Sequence, residues 1–174
     1  MEPRETDGAR EVLNSLRRIV RSLRLSSRTA EQLVGMSGAQ LFVLQCLARE
    51  GPCSVNELAA RTATDQSSVS VVVRRLVTGG HVRRTVSKID RRSVELSPTR
   101  SGQALVESAP EAAQDRLIGA LTHLPKPELR KLRDTLEKVV RLAEVSHEKT
   151  ALFFEDEPPV ARAKRPTPRP RGSR

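Results

Sequence analysis

The apolar positions of this chain fall into helical runs interrupted by one short alternating segment. Leu13, Leu16, Val20 and Leu23 are spaced three and four apart with Ile19 beside them, which predicts one apolar stripe on a helix from about Ala9 to Val34. "MSG" separates it from a second apolar segment, "AQLFVLQCLARE", which stops at Gly51-Pro52 because proline cannot continue the hydrogen-bond ladder. In "SVNELAAR", Ser54 followed three residues later by Glu57 reads as a capping box, with Val55, Leu58 and Ala59 on the buried side. Thr62-Ala63-Thr64 ends that helix after two turns. Thr64 or Asp65 is then expected to cap "QSSVSVVVRRLV", which closes at Gly79-Gly80. Two short helices joined by a tight polar turn form a helix-turn-helix pattern.

Next the period switches from helical to alternating. Strands are predicted over Val82–Ser87 and Ser93–Ser97, with Val94 and Leu96 on the inner side of the second. The turn between them carries Lys88, Asp90, Arg91 and Arg92. A further helix is expected from Thr99, kinked at Pro110, and a last one from about Pro127, a residue suited to a first helical position. Leu129, Leu132, Leu136, Val139 and Ala143 then alternate three and four apart, a heptad-like seam that suggests a partner helix. From Glu155 onward there are five prolines and no apolar period, so residues 155–174 are expected to be disordered. Residues 1–8 read as a flexible N-terminus.

A wheel at 100° per residue gives the helix from Gln66 to Val77 two unlike faces. Val69, Val72, Val73 and Leu76 share the core side. Ser67, Ser70, Val71 and Arg74 lie opposite, with Gln66 at the edge. Short hydroxyls let a helix approach a major groove closely, Ser and Gln can contact base edges, and Val71 could meet a thymine methyl. Serine is a weak helix former, so a purely solvated face suits this composition poorly. In the hairpin turn, a carboxylate two residues from an arginine can brace the guanidinium, and a braced arginine fits a narrow minor groove. A loop whose charges only solvate it is the plainer alternative.

Charge sharpens this picture. The chain of 174 residues has 37% apolar and 30% charged residues and a formal net charge of +10. Arg74–Arg92 holds seven basic residues and one acid, and Pro158–Arg174 holds six basic residues and none, so the remainder sums to −2. The excess therefore belongs to two segments, as expected of a polyanion-binding surface with a basic tail. No apolar run is long enough for a spanning helix, and the first residues lack a signal peptide's apolar stretch, so the expected compartment is the cytoplasm, with no membrane partner. Cys46 reads as a small buried hydrophobe. Cys53 is placed in a turn, where an exposed thiol could oxidise.

On "VNELAARTATDQSSVSVVVRRLVTGGHVRRTVSKIDRRSVELSPTRSG" the chain resembles the MarR family of winged helix-turn-helix transcription regulators. Arg75-Leu76-Val77, Gly80-His81-Val82-Arg83-Arg84, Asp90-x-Arg92 and Thr99-x-x-Gly102 stand in family order and spacing. The resemblance implies a mainly α fold with a small β-hairpin wing and a helical dimerisation layer. Within a unit spanning 9–147, helices of 9–34 and 99–147 would dimerise and 38–98 would form the DNA-binding lobe. It implies a homodimer on a palindromic operator in double-stranded DNA, more often a repressor. Gln66, Ser67, Ser70, Val71 and Arg74 would face bases, with Lys88, Asp90, Arg91 and Arg92 in the wing and the caps Ser54 and Thr64 near phosphates. Leu13, Leu16, Val20, Leu129, Leu132, Leu136 and Val139 would meet the second protomer. A small anionic or phenolic ligand could relieve repression. Pro98, where the family usually has Leu, is expected to end the second strand early. No first-helix cysteine stands before Cys46, so the family's peroxide-sensing mechanism does not carry over.

The rival readings are a nonspecific DNA-coating protein and a winged helix used for protein–protein assembly. An enzyme is not expected. His81, His123 and His147 are far apart, with no metal-ligand spacing, nucleophile motif or phosphate loop, and no cofactor or metal is implied. His81 reads as a turn residue more readily than as a phosphate contact.

Overall fold

The computed structural model describes residues 3–86, 94–145 and 152–153. Helix α1 (Pro3–Val34) leads into α2 (Gly38–Glu50), α3 (Val55–Arg61) and α4 (Gln66–Thr78). An antiparallel hairpin, β1 (Val82–Val86) and β2 (Val94–Pro98), follows, then α5 (Arg100–Ser108), α6 (Ala113–Thr122) and α7 (Lys126–Leu142). The fold is a winged helix-turn-helix with additional helices, as the sequence pattern predicts.

The core gathers on α2. Ala39, Leu41, Phe42, Val43, Leu44, Cys46 and Leu47 are all buried, so this helix is apolar nearly all round and is enclosed by α1, α3, α4, α5 and β2. Both of its ends are satisfied. Ser37 and Gln40 form a reciprocal capping box, and the Gly51 N–H bonds the Leu47 carbonyl with Gly51 at a φ of 82°, a conformation that favours glycine. Val69, Val72, Val73 and Leu76 of α4 close the core from one side, Leu58 of α3 from another, and Val82 and Leu96 seal the base of the hairpin.

Several expectations need correction. Helix α1 starts at Pro3 rather than Ala9, so residues 3–8 are helical. Pro3 stands at the first helical position, where its fixed φ suits a helix start. The helix expected to bend at Pro110 is instead two helices. Ala109, immediately before the proline, is extended (φ −93°, ψ 148°), because the proline ring disfavours the helical region for its predecessor. Val94 does not face inward but is exposed, since only the base of the hairpin reaches the core.

Pro98 does not shorten β2. Thr99 donates its N–H to the His81 carbonyl, and Leu96 exchanges bonds with Cys53 on the far side. Pro98, paired with Val82, therefore stands at a position where no ladder N–H is needed. Cys53 is buried beneath that bridge and not exposed in a turn. Burial pushes the thiol pKa of Cys46 up to about 12, with Glu50 adding to the effect, and burial raises that of Cys53 as well. Both are poor thiolates and poor oxidation targets.

The Thr99-x-x-Gly102 motif has a packing reason. Thr99 caps α5, accepting from the Gly102 N–H at 3.1 Å and donating to the Gly80 carbonyl at 2.7 Å. A Cβ on Gly102 would run into the backbone carbonyl of His81. The motif thus locks α5 against the end of the helix-turn-helix, and only glycine permits that approach.

A polar clamp then holds the α5–α6 connection. Gln45, buried on α2, donates to the Pro110 carbonyl at 2.9 Å and accepts from the Ala112 N–H at 3.0 Å. Arg49 pairs with Asp115 at 3.0 Å, and the Ala113 N–H reaches Ser26 of α1 at 3.1 Å. The α5–α6 connection is thus tied to α2 through Gln45 and Arg49, and to α1 through Ser26.

Candidate nucleic-acid interface

Helix α4 takes the orientation its pattern predicts. With Val69, Val72, Val73 and Leu76 in the core, Gln66, Ser67 and Arg74 are exposed, and Ser70 and Val71 are partly so. All five candidate residues share the outward side. The Ser70 hydroxyl donates back to the Gln66 carbonyl at 2.7 Å, which leaves its oxygen to accept a hydrogen bond from outside. The face is neutral and close-fitting at its N-terminal half and positive at Arg74. That gradient suits a base edge approached by hydroxyls with a phosphate beyond it.

Of the two candidate caps of α4, Asp65 takes the N-cap, and Thr64, also expected near a phosphate, instead donates its hydroxyl to the Thr62 carbonyl at 3.0 Å and stabilises the turn itself. Ala63 in that turn has a φ of 50°. Ser54 does cap α3, but its hydroxyl and N–H are engaged by Glu57 at 2.9 and 2.7 Å. The Ser54 backbone N–H, with its hydroxyl, holds the Glu57 carboxyl below the usual carboxylate range. The α3 N-terminus is thus already supplied with an anion of its own.

In the wing, Arg83 is drawn back to β2, where its Nε donates to Ser97 at 2.9 Å, while Arg84 stands exposed opposite Leu96. Lys88, Asp90, Arg91 and Arg92 lie outside the described residues, as does the tail 155–174. Arg75 and Arg84 are exposed cations near the predicted face that the wheel and the turn motif did not single out. The alternation of the strand was the signal for Arg84, once the register was known. His81 bonds Ser101 at 3.3 Å, in keeping with a turn residue.

The candidate dimer residues are dispersed over two helices and remain open. Leu13 (49%), Leu16 (39%) and Val20 (41%) of α1, and Leu132 (36%), Leu136 (43%) and Val139 (50%) of α7, keep large fractions of their surface exposed. Leu129 is partly covered, and α7 as a whole buries no residue. Leu121, Leu129, Leu132, Leu136 and Val140 line an apolar groove of about 590 Å³.

Among the described residues no cluster of His, Cys, Asp or Glu could hold a metal, and no helix is long and apolar enough to cross a membrane. A family model described as MarR family matches residues 34–93. The chain is 30% identical over 110 residues to the helix-turn-helix transcriptional repressor MdtR of Bacillus subtilis, covering 63% of this chain and 71% of that one. It is 32% identical over 129 residues to a helix-turn-helix transcriptional regulator of Mycobacterium leprae, covering 74% and 87%. A mutant of E. coli MarR complexed with operator DNA superposes with a TM-score of 0.51 at 25% identity, covering 74% of this chain and 93% of that one. The family match spans α2, α3, α4 and β1. The chain belongs to the MarR family and is a DNA-binding transcriptional regulator, not an enzyme.

Proposed function

We propose that this protein is a cytoplasmic homodimer that represses transcription by reading a palindromic operator. The observation that carries this is the division of apolar surface. The lobe helices bury their apolar faces in one core, whereas Leu13, Leu16 and Val20 of α1 and Leu132, Leu136 and Val139 of α7 stay open among the described residues, with only Leu23 of the α1 stripe buried. A second copy would cover them and set two α4 helices at a fixed spacing, which matches half-sites related by a two-fold axis. In this reading Gln66, Ser67, Ser70, Val71 and Arg74 enter the major groove. Arg92, braced by Asp90 and flanked by Lys88 and Arg91, approaches the minor groove. Repression is favoured by the name of the Bacillus relative.

A small anionic or phenolic ligand that relieves repression would act at the clamp between lobe and outer helices. A shallow cavity of about 410 Å³ opens there beside Gln45, Arg49, Gln103 and Val106. Glu111 and Asp115 also line it, and Arg49 is already paired with Asp115 and Glu50, so an anion would have to displace a carboxylate from Arg49, and any movement of the Arg49–Asp115 pair would change how the lobe is held.

Fluorescence anisotropy on DNA from the gene's own upstream region, against a random duplex of equal length, tests the reading. A preference of ~10³-fold or more is expected for an autoregulated operator. Equal affinity for both would overturn sequence-specific control of its own gene and favour a nonspecific coating role.

A further inference from the structure

Beyond α7 the chain returns to the core. The sequence has three phenylalanines and no Tyr or Trp, and two of the three stand side by side in "ALFF", an apolar block between "SHEKT" and "EDEPP". Leu152 is 3% exposed and belongs to the same core cluster as Met36, Ala39, Phe42 and Ala112. Phe153 lines the adjoining crevice with Leu23 and Ser27 of α1, Gly38 of α2 and Ala113 of α6. With Phe153 in place only about 10 Å³ is left there, room for about one water.

The same crevice is where α6 departs. Ala112 donates to Gln45 at 3.0 Å, Ala113 to Ser26 at 3.1 Å, and Asp115 pairs with Arg49 at 3.0 Å. Residues 114–151, with α7 among them, therefore leave the core and re-enter it at one place. Between those points α7 buries no residue of its own, so its position relative to the lobe is set at the ends of the excursion rather than along the helix. A segment gripped at both ends has far less freedom than one gripped at a single end.

We propose that Leu152 and Phe153 form a latch that closes the α6–α7 arm onto the lobe and so fixes the distance between α7 and α4. Leu152 drives the closure, because burying a leucine shifts an open–closed equilibrium by about tenfold or more. Phe153, at 49% exposure, shields the crevice from outside. Only two side chains must leave for the arm to open. In a dimer seated on α7 the latch would set the spacing of the two α4 helices, a consequence that rests on the homodimer reading.

The test is a distance measured in the full chain. Glu107→Cys on α5 and Lys138→Cys on α7 place labels at exposed positions, while the native Cys46 and Cys53 are buried and stay unlabelled. The labelled chain is diluted into excess unlabelled chain, so that pulsed electron spin resonance reads distances within one protomer. A single narrow distance is expected with the latch intact. Leu152→Ala with Phe153→Ala is expected to widen the distribution about twofold, since an arm free at one end samples more positions. The lobe should stay folded by circular dichroism with a thermal midpoint lower by about 5 °C or more. Leu152→Met, which nearly conserves volume, should keep the narrow distance, and Phe153→Ala alone, which leaves Leu152 in the core, should give an intermediate width. The preference for upstream over random duplex is expected to fall about tenfold in the double variant, because half-sites are no longer met at one spacing.

An unchanged narrow distance in the folded double variant, or in Phe153→Ala if the double variant does not fold, overturns the latch. A distribution already broad in the unchanged chain does the same. The widening should persist when Leu132→Glu and Leu136→Glu are added; its disappearance there would assign the ordering of α7 to a second copy instead. A widened distance with the DNA preference kept overturns the link from latch to α4 spacing. Absence of any preference in the unchanged chain sinks the operator reading, and the distance comparison then decides the latch by itself.

Discussion

Helices α4 and α7 are nearly the same device put to opposite uses. Each carries apolar residues three and four apart along one side. In α4 these residues, Val69, Val72, Val73 and Leu76, have no exposed surface, because α2, α3 and β1 pack over them. In α7 the equally regular Leu132, Leu136 and Val139 remain open, and the helix buries nothing. Periodicity therefore states that a face will be covered without saying by what. In α4 the cover comes from the same protomer, and the polar face opposite is left for DNA. In α7 nothing described in the protomer covers the face, and the proposed cover is a second copy.

The largest test of this contrast is to charge the open face. Leu132→Glu with Leu136→Glu should weaken self-association by more than ~100-fold, since burying two leucines is worth ~3–6 kcal/mol together. Sedimentation would read it, and a double variant that still sediments as a dimer would remove α7 from the interface. The lobe should keep its own thermal transition, because these residues contribute nothing to its core.

Gly102→Ala probes the opposite region. The added methyl meets the His81 carbonyl, a backbone group with little freedom to move, so the lobe should lose ~1–3 kcal/mol. A thermal midpoint within a degree of the wild type would mean that α5 shifts freely and is not locked to the helix-turn-helix. At the wing, Arg92→Ala should weaken operator binding more than ~10-fold, within the range of one good arginine contact. Unchanged affinity in anisotropy titrations would remove the wing assignment.

The smallest expected effect concerns the closed core. Cys46 in the folded lobe releases its proton only at about 12, against an ordinary value of 9.0, because burial penalises the thiolate. Its stabilising contribution is complete below pH 9 and is lost as pH rises toward 12, since the unfolded chain ionises first. Thermal melts across that window should fall less steeply in Cys46→Ala than in the wild type. Parallel slopes would show that the thiol is wetter than its burial indicates.

Much of the lobe is legible in the sequence because its signals are local. The Ser54–Glu57 box, the Gly51-Pro52 stop, the two faces of α4 and the alternating hairpin each depend on residues within a few positions of one another. The misses are mostly non-local. Pro110 ends its helix through a local effect on Ala109, but the clamp that holds the connection beyond it comes from Gln45, 65 residues earlier. Cys53 looks exposed in a turn until Leu96 pairs with it.

The sequence by itself determined the order of the elements, the side of α4 that meets the core, and the family. These follow from side-chain period, capping and turn chemistry, which act over one or two turns of backbone. Only the tertiary structure decided which apolar faces stay open, why Gly102 admits no side chain, and how the outer helices are tied to the lobe. Those outcomes depend on surfaces that lie far apart along the chain and meet only on folding, 67 residues apart for Gln45 and Ala112 and 87 for Ser26 and Ala113. Burial is a property of the assembled surfaces rather than of any residue within them.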